Sequence, residues 1–297
     1  RRLESSERIA EAEMWMCAAA FAGAGEPKDA RELWEESLTA SAHATAWLFA
    51  ADFDDMYTRI EKALLDAKAL RDRAMRSLVE RIDKPEGAIA VVFNSLDHEV
   101  DSVVELTLPC GEIDGLRLVD GRGRELTYQI IKPYEYTDSV WEYEACVRVA
   151  LPALGYNLIC ARGARVDCRL GGVFVRPEPK AVRAASDPLA IDNGALKLTF
   201  ENGRLTKVYD SALGREVERC GEAAFNDLVF TKIDTDKGVL HAGPIEYERR
   251  VAFSSHVILE NGPVRWRVKL EGNDGRLIYA QYITLEAGSR DLLFEVD

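Results

Sequence analysis

The residue whose setting most invites a chemical reading is His43, inside Trp34-Glu35-Glu36-Ser37-Leu38-Thr39-Ala40-Ser41-Ala42-His43-Ala44-Thr45. An imidazole on a helix can hold a metal through one ring nitrogen while a polar neighbour orients the other. A zinc site needs three or four ligands, so His43 completes none by itself, and the plain alternative is a histidine packed among small residues. Trp34 and Trp47 read as packing residues rather than sugar platforms. His98, His241 and His256 fall in or beside turns and strands and read as structural or solvated. The six cysteines, Cys17, Cys110, Cys146, Cys160, Cys168 and Cys220, show no C-x-x-C or other metal spacing. A chain of this size folds without disulfides, so a reduced, cytoplasmic setting is the default. Carboxylates are plentiful, but no pair has a context that separates it from surface charge. There is no G-x-S-x-G elbow, phosphate-binding glycine loop or H-E-x-x-H.

These residues have to be positioned by helices first and strands afterwards. From residue 3 to about 81 the apolar period is helical, and three segments can be drawn, over 4–22, 29–49 and from Asp52 or Asp54 as N-cap to 82. Gly23-Ala24-Gly25-Glu26-Pro27 ends the first. On the second, Trp34, Leu38, Ala42 and Thr45 share a face. On the third, Met56, Ile60, Ala63, Ala67, Leu70 and Ala74 make the seam of an antiparallel three-helix bundle. After Gly87 the period becomes two. Strands are expected over 88–94, 102–108, 116–119, 126–129, 141–149 and 157–161, with Asp120-Gly121-Arg122-Gly123 as a hairpin turn. A linker at 176–180 leads to the strongest local signal of the chain. There Leu196, Leu198 and Phe200 alternate with wetter residues, Asn202-Gly203 supplies a tight turn, and 205–209 returns, with a second turn at Asp210-Ser211 and Gly214. Further strands are expected over 228–232, 245–254, 264–270 and 277–285. Residues 291–297 look like the middle of a strand, and the chain reads as a piece of a longer protein.

Composition narrows the partners. With 297 residues and 47% hydrophobic content the chain can bury a sizeable core and divide into two or three units. Its net charge of −13 is spread throughout, leaving no basic face for nucleic acid or an anionic membrane. No run approaches the length of a membrane span.

The words around the hairpin carry a resemblance. The segment Asn193-Gly194, strand, Glu201-Asn202-Gly203-Arg204-Leu205, strand, Tyr209-Asp210, small loop, Gly214-Arg215-Glu216-Val217 resembles the opening of the large C-terminal β-sandwich of glycoside hydrolase family 38, the α-mannosidases. Asn226-Asp227-Leu228 looks like that family's Asn before an apolar strand. Upstream, Asn94-Ser95 and the Pro152-Ala153-Leu154-Gly155-Tyr156 ending are similar to the family's smaller sandwich. The resemblance implies an α+β multidomain chain: a three-helix bundle over 1–84, a small antiparallel β-sandwich over 85–176 and part of a large galactose-mutarotase-like β-sandwich over 177–297, incomplete at its C-terminus. In the family the second helix of the bundle reaches the active site with Gln-His-His-Asp or Asn-Gln-Phe-His-Asp, the last His being a zinc ligand. His43 falls on that ligand position, whereas the Gln position is Ser41 and the Asp position is Ala44.

A retaining glycosidase works with two close carboxyl groups, one as nucleophile and one as acid/base. In family 38 the nucleophile and most zinc ligands come from an N-terminal α/β domain marked by His-x-Asp, and residues 1–297 contain neither a βαβ reading nor that pattern. The resemblance therefore implies a chain that is inactive alone, with no catalytic residue of its own and His43 as its one metal residue. Zinc and an α-mannoside substrate would belong to the full-length protein. A second reading is a non-catalytic carbohydrate-binding or scaffolding protein that keeps the fold. A third is the sandwich end of a polysaccharide lyase or another enzyme sharing the large-sandwich fold, whose usual longer helical toroid upstream this bundle does not match.

Overall fold

The computed structural model of the chain describes residues 2–26, 28–41, 50–109, 115–137, 140–163, 189–219, 221, 223–233, 245–273, 275 and 277–297. Among them are three helices, α1 (Arg2–Phe21), α2 (Arg31–Ser41) and α3 (Ala50–Arg81). Strands follow in the order β1 (Ala88–Phe93), β2 (Val100–Pro109), β3 (Arg117–Asp120), β4 (Tyr128–Thr137), β5 (Val140–Leu151), β6 (Tyr156–Arg162), β7 (Leu189–Asp192) and β8 (Leu196–Glu201). Then come β9 (Arg204–Asp210), β10 (Arg215–Glu216), β11 (Val229–Ile233), β12 (Ile245–Arg250), β13 (Ser255–Asn261), β14 (Arg265–Asn273), β15 (Ile278–Glu286) and β16 (Leu292–Val296). The class is α+β, and among the described residues the helices come first and then antiparallel strands in five sheets. Among the described residues no helix is long and apolar enough to cross a membrane. The chain divides into two units, one of Arg1–Val100, Val119–Arg124 and Ala150–Ala161, the other of Asp101–Leu118, Glu125–Val149 and Arg162–Asp297.

In the first unit Ile9, Ala12, Trp15, Met16 and Ala19 of α1 pack with Leu33 of α2 and with Ala63, Ala67 and Ala74 of α3. Ala12, Ala63 and Ala67 are fully buried, and such small residues let the helix surfaces interlock closely. The seam expected on α3 is present. On α2 the buried stripe is Leu33, Ser37 and Ala40, one position away from the expected Trp34–Leu38 face, and Leu38 is 62% exposed. The stripe moves because Ser37 is drawn inward by a 2.7 Å hydrogen bond between its hydroxyl and that of Ser5. Helix α3 already runs through Asp52 and Asp54, so neither is its N-cap. Acidic residues in a first helical turn suit the positive end of the helix dipole equally well, which is why the cap signal misleads. The end of α1 is as expected: Gly23 has φ 65°, its N–H reaches the Ala20 carbonyl, and the Ala24 N–H reaches that of Ala19. That pair of bonds is a Schellman ending.

Strands β1 and β6 of this unit pair antiparallel, Phe93 opposite Tyr156 and Val91 opposite Leu158. Phe93 also sets its ring edge-on to Trp15, at 5.1 Å between centroids. Asn94 closes the strand end, donating to the carbonyls of His98 at 2.8 Å and Pro152 at 2.9 Å and accepting from the Leu96 N–H. The turn at 120–123 forms, Gly123 donating to the Asp120 carbonyl at 2.9 Å. The expected hairpin closes on both sides of this turn, the Asp120 N–H bonding the Arg124 carbonyl and the Leu126 N–H the Leu118 carbonyl, each at 2.8 Å, while β3 goes on to join the sheet of order β1-β6-β3 and β4 that of order β2-β5-β4.

The second unit contains the meander β10-β9-β8-β7. Asn202 and Gly203 have φ of 50° and 73°, the positive pair that a tight two-residue turn demands. Leu196, Leu198, Phe200, Leu205 and Val208 from this meander enclose a core with Val268 and Leu270 of β14 and Ile283 and Leu285 of β15. The second sheet of that core has the order β13-β14-β15-β16, with Val268 opposite Ile283. Strand β13 went unforeseen, since its burial alternates weakly and Glu260, a charged residue, is buried at its end.

Candidate functional site

His43 lies outside the described residues, as do Trp47, His241 and Cys220. The described part of its segment shows what stands beside it in sequence. Trp34 is half-buried and donates its indole N–H to Glu13 at 3.1 Å, tying α2 to α1, which is a packing role. Ser41, on the family's Gln position, spends its hydroxyl on the Ser37 carbonyl one turn back at 2.7 Å. Arg59 of α3 holds Glu36 at 2.6 Å and Asp55 at 2.8 Å. Among the described residues no three of His, Cys, Asp and Glu stand close enough to hold a metal ion. They do not fit a zinc site by themselves.

Of the other histidines, His98 is exposed and contacts Asp97 at 3.0 Å. His256 is half-buried on β13 opposite Leu270, and its Nε2 is buried with no hydrogen-bond partner among the described residues.

The buried acids are committed to structural partners. Burial would push the Asp120 carboxyl up, but the N–H groups of Arg124 and Arg122 and the Arg124 guanidinium, at 2.7 Å, hold it below the usual range. Burial likewise acts on Asp227, and is outweighed by Arg204 at 2.9 and 3.0 Å, the Ala224 N–H at 3.0 Å and Arg250 at 3.6 Å. Asp210 is held low first by the Leu213 N–H and then by Arg290. None of these carboxyls is presented as an acid/base partner to another.

Two polar clusters that sequence reading missed lie in the second unit. In one, buried Asn226 accepts from the Leu205 N–H at 2.7 Å and donates to the Gly203 carbonyl at 3.1 Å and the Gln281 side chain at 3.0 Å. It thereby fastens the Asn202-Gly203 turn to β15. In the other, Arg265 is gripped by Glu260 at 2.6 and 2.8 Å and by Glu105 at 2.6 Å. Burial would lower its pKa, and the two carboxylates outweigh that and raise it. Gln129 accepts from the N–H groups of Val264 and Arg265 and donates to Glu260 at 3.1 Å. Cys146 lies beside this cluster, fully buried, and burial pushes its thiol up to about 11. The signals available were charged residues set in apolar surroundings, Glu260 after Val257-Ile258-Leu259 and Arg265 after Val264. They do not say which strand lies opposite. Both clusters satisfy buried groups rather than leaving one poised to react. No protein-family model and no curated protein matches the sequence.

Proposed function

We propose that this chain is the helical middle and the C-terminal β portion of an α-mannosidase-like hydrolase of glycoside hydrolase family 38, acting on α-mannosides only together with a catalytic domain that it lacks. On this reading residues 1–84 form the bundle, 85–176 the small sandwich and 177–297 the start of the large galactose-mutarotase-like sandwich, with a cytoplasmic setting. Supporting it is one observation above the others: the order of three helices followed by antiparallel sheets, with the Asn202-Gly203 turn pinned by Asn226, the residue that the resemblance singled out. His43 would stand near the junction with the missing domain and contribute one zinc ligand there. Turnover of nitrophenyl α-mannoside by the full-length gene product, restored by zinc after chelation, is the expected result, with none from residues 1–297 alone. Absence of turnover by the full-length protein under any metal overturns the reading.

A specific observation favours the alternative, a non-catalytic carbohydrate-binding or scaffolding protein. Ser41 turns its hydroxyl back to its own helix, and Ala44 has no polar atom to offer, so the partners that orient a ligating imidazole are missing from those positions. Oligosaccharide binding by a full-length protein that hydrolyses nothing would select this alternative.

A further inference from the structure

We infer that the contact between the β2-β5-β4 sheet and the β13-β14-β15-β16 sheet is a polar latch that can open while the apolar core between the β13–β16 sheet and the β7–β10 meander stays closed. The residues meeting there belong to the second unit and are largely polar, with Glu260, Arg265 and Gln129 buried and Glu105 and Asp101 at the exposed edge. From β5, alternation sends Ala145, Val147 and Val149, all fully buried, to one face, and Cys146 and Arg148 to the other. Gln129 lies opposite Cys146 in the β4–β5 ladder and so shares the second face.

Across from them stand Glu260, Gly262, Val264, Arg265 and Ala287. Gln129 caps two backbone N–H groups there, Glu105 reaches Arg265, and Arg148 donates to the Ala287 carbonyl while Asp101 holds it at 2.8 Å. Gly262 is where the Gln129 side chain comes so close that a Cβ would collide with it. On β14 the core residues Val268 and Leu270 point away from this contact, into the cluster with Leu198 and Phe200. Opening therefore hydrates hydrogen bonds and ion pairs, which water can satisfy in turn, and leaves that apolar cluster closed.

Cys146 is a built-in reporter, fully buried when the latch is closed and facing the gap when it opens. The experiment measures labelling of Cys146 by a thiol reagent in the intact chain, read peptide by peptide by mass spectrometry, across low urea concentrations. Amide exchange of β14 and β15 is measured alongside. If the latch opens independently, Cys146 labels through an opening at least tenfold more frequent than that of the β14–β15 amides and with a shallower urea dependence. The double variant Glu105→Gln with Gln129→Ala, which leaves the Glu260–Arg265 pair intact, should speed Cys146 labelling about tenfold with β14–β15 protection unchanged. Identical urea slopes for Cys146 and the β14–β15 amides overturn the inference. So does a double variant in which both accelerate together, or in which neither changes.

Discussion

Asn226 illustrates how much one side chain can fix. Its carbonyl oxygen takes the Leu205 N–H, and its amide nitrogen serves Gly203 and Gln281, all buried. Truncation would strand these groups out of reach of water, where each lost partner is expensive. Asn226→Ala should cost about 3 kcal/mol, read from the urea midpoint at constant slope. A loss below about 1 kcal/mol would mean that water replaces the amide. The position was visible in sequence as an Asn before an apolar strand, but its role was not, because Gln281 lies 55 residues away. Arg265 shows the same limit, for its partner Glu105 comes from a strand whose neighbours no local pattern names.

At the scale of elements, the legible parts were those whose instructions are local. The Asn202-Gly203 turn carries its own geometry, and the seam of α3 repeats often enough to read unaided. The α2 face was displaced by one residue because a buried Ser5–Ser37 bond counts for more there than the size of Trp34. The hairpin at 118–126 was legible because its instructions are likewise local, whereas the different sheets that β3 and β4 join are chosen by distant strands. The Asn202-Gly203 turn makes a sharp prediction. Gly203 has φ 73°, and a Cβ there would meet that of Phe253 at 3.0 Å. Gly203→Ala should therefore destabilise by about 1–2 kcal/mol, whereas Gly214→Ala, at φ 64° with open space around it, should cost less. Thermal unfolding of the two variants side by side checks the difference, and equal losses would remove Phe253 from the explanation.

For the molecule as a whole, the order of helices and strands was legible, while the sheet order and the polar contacts between sheets were not. The buried aspartates give the whole fold a shared response to acid. Asp120 and Asp227 titrate below the ordinary carboxylate range in the folded chain, and an unfolded Asp titrates near ~3.9. The unfolded state thus binds more protons as the pH falls. The stabilisation is complete above about pH 5 and is lost as the pH drops through ~3.9 toward the folded values. Asp227→Asn removes one of these groups, so its urea midpoint should fall less between pH 6 and pH 3 than that of the parent chain. Parallel curves would show that Asp227 contributes nothing to the acid response.

The short connection after β15 looks in sequence like any small polar turn, Ala287-Gly288-Ser289-Arg290. Asn193 donates to the carbonyls of Glu286 and Ser289, Arg148 to that of Ala287, and Arg290 reaches back to Asp210. Two other sheets, the β7–β10 meander and the β2-β5-β4 sheet, are moored to these few residues. An engineer seeking a place to splice in a tag or a reporter should pass over this inviting Gly-Ser step, exposed as it looks, because its backbone carbonyls are already taken.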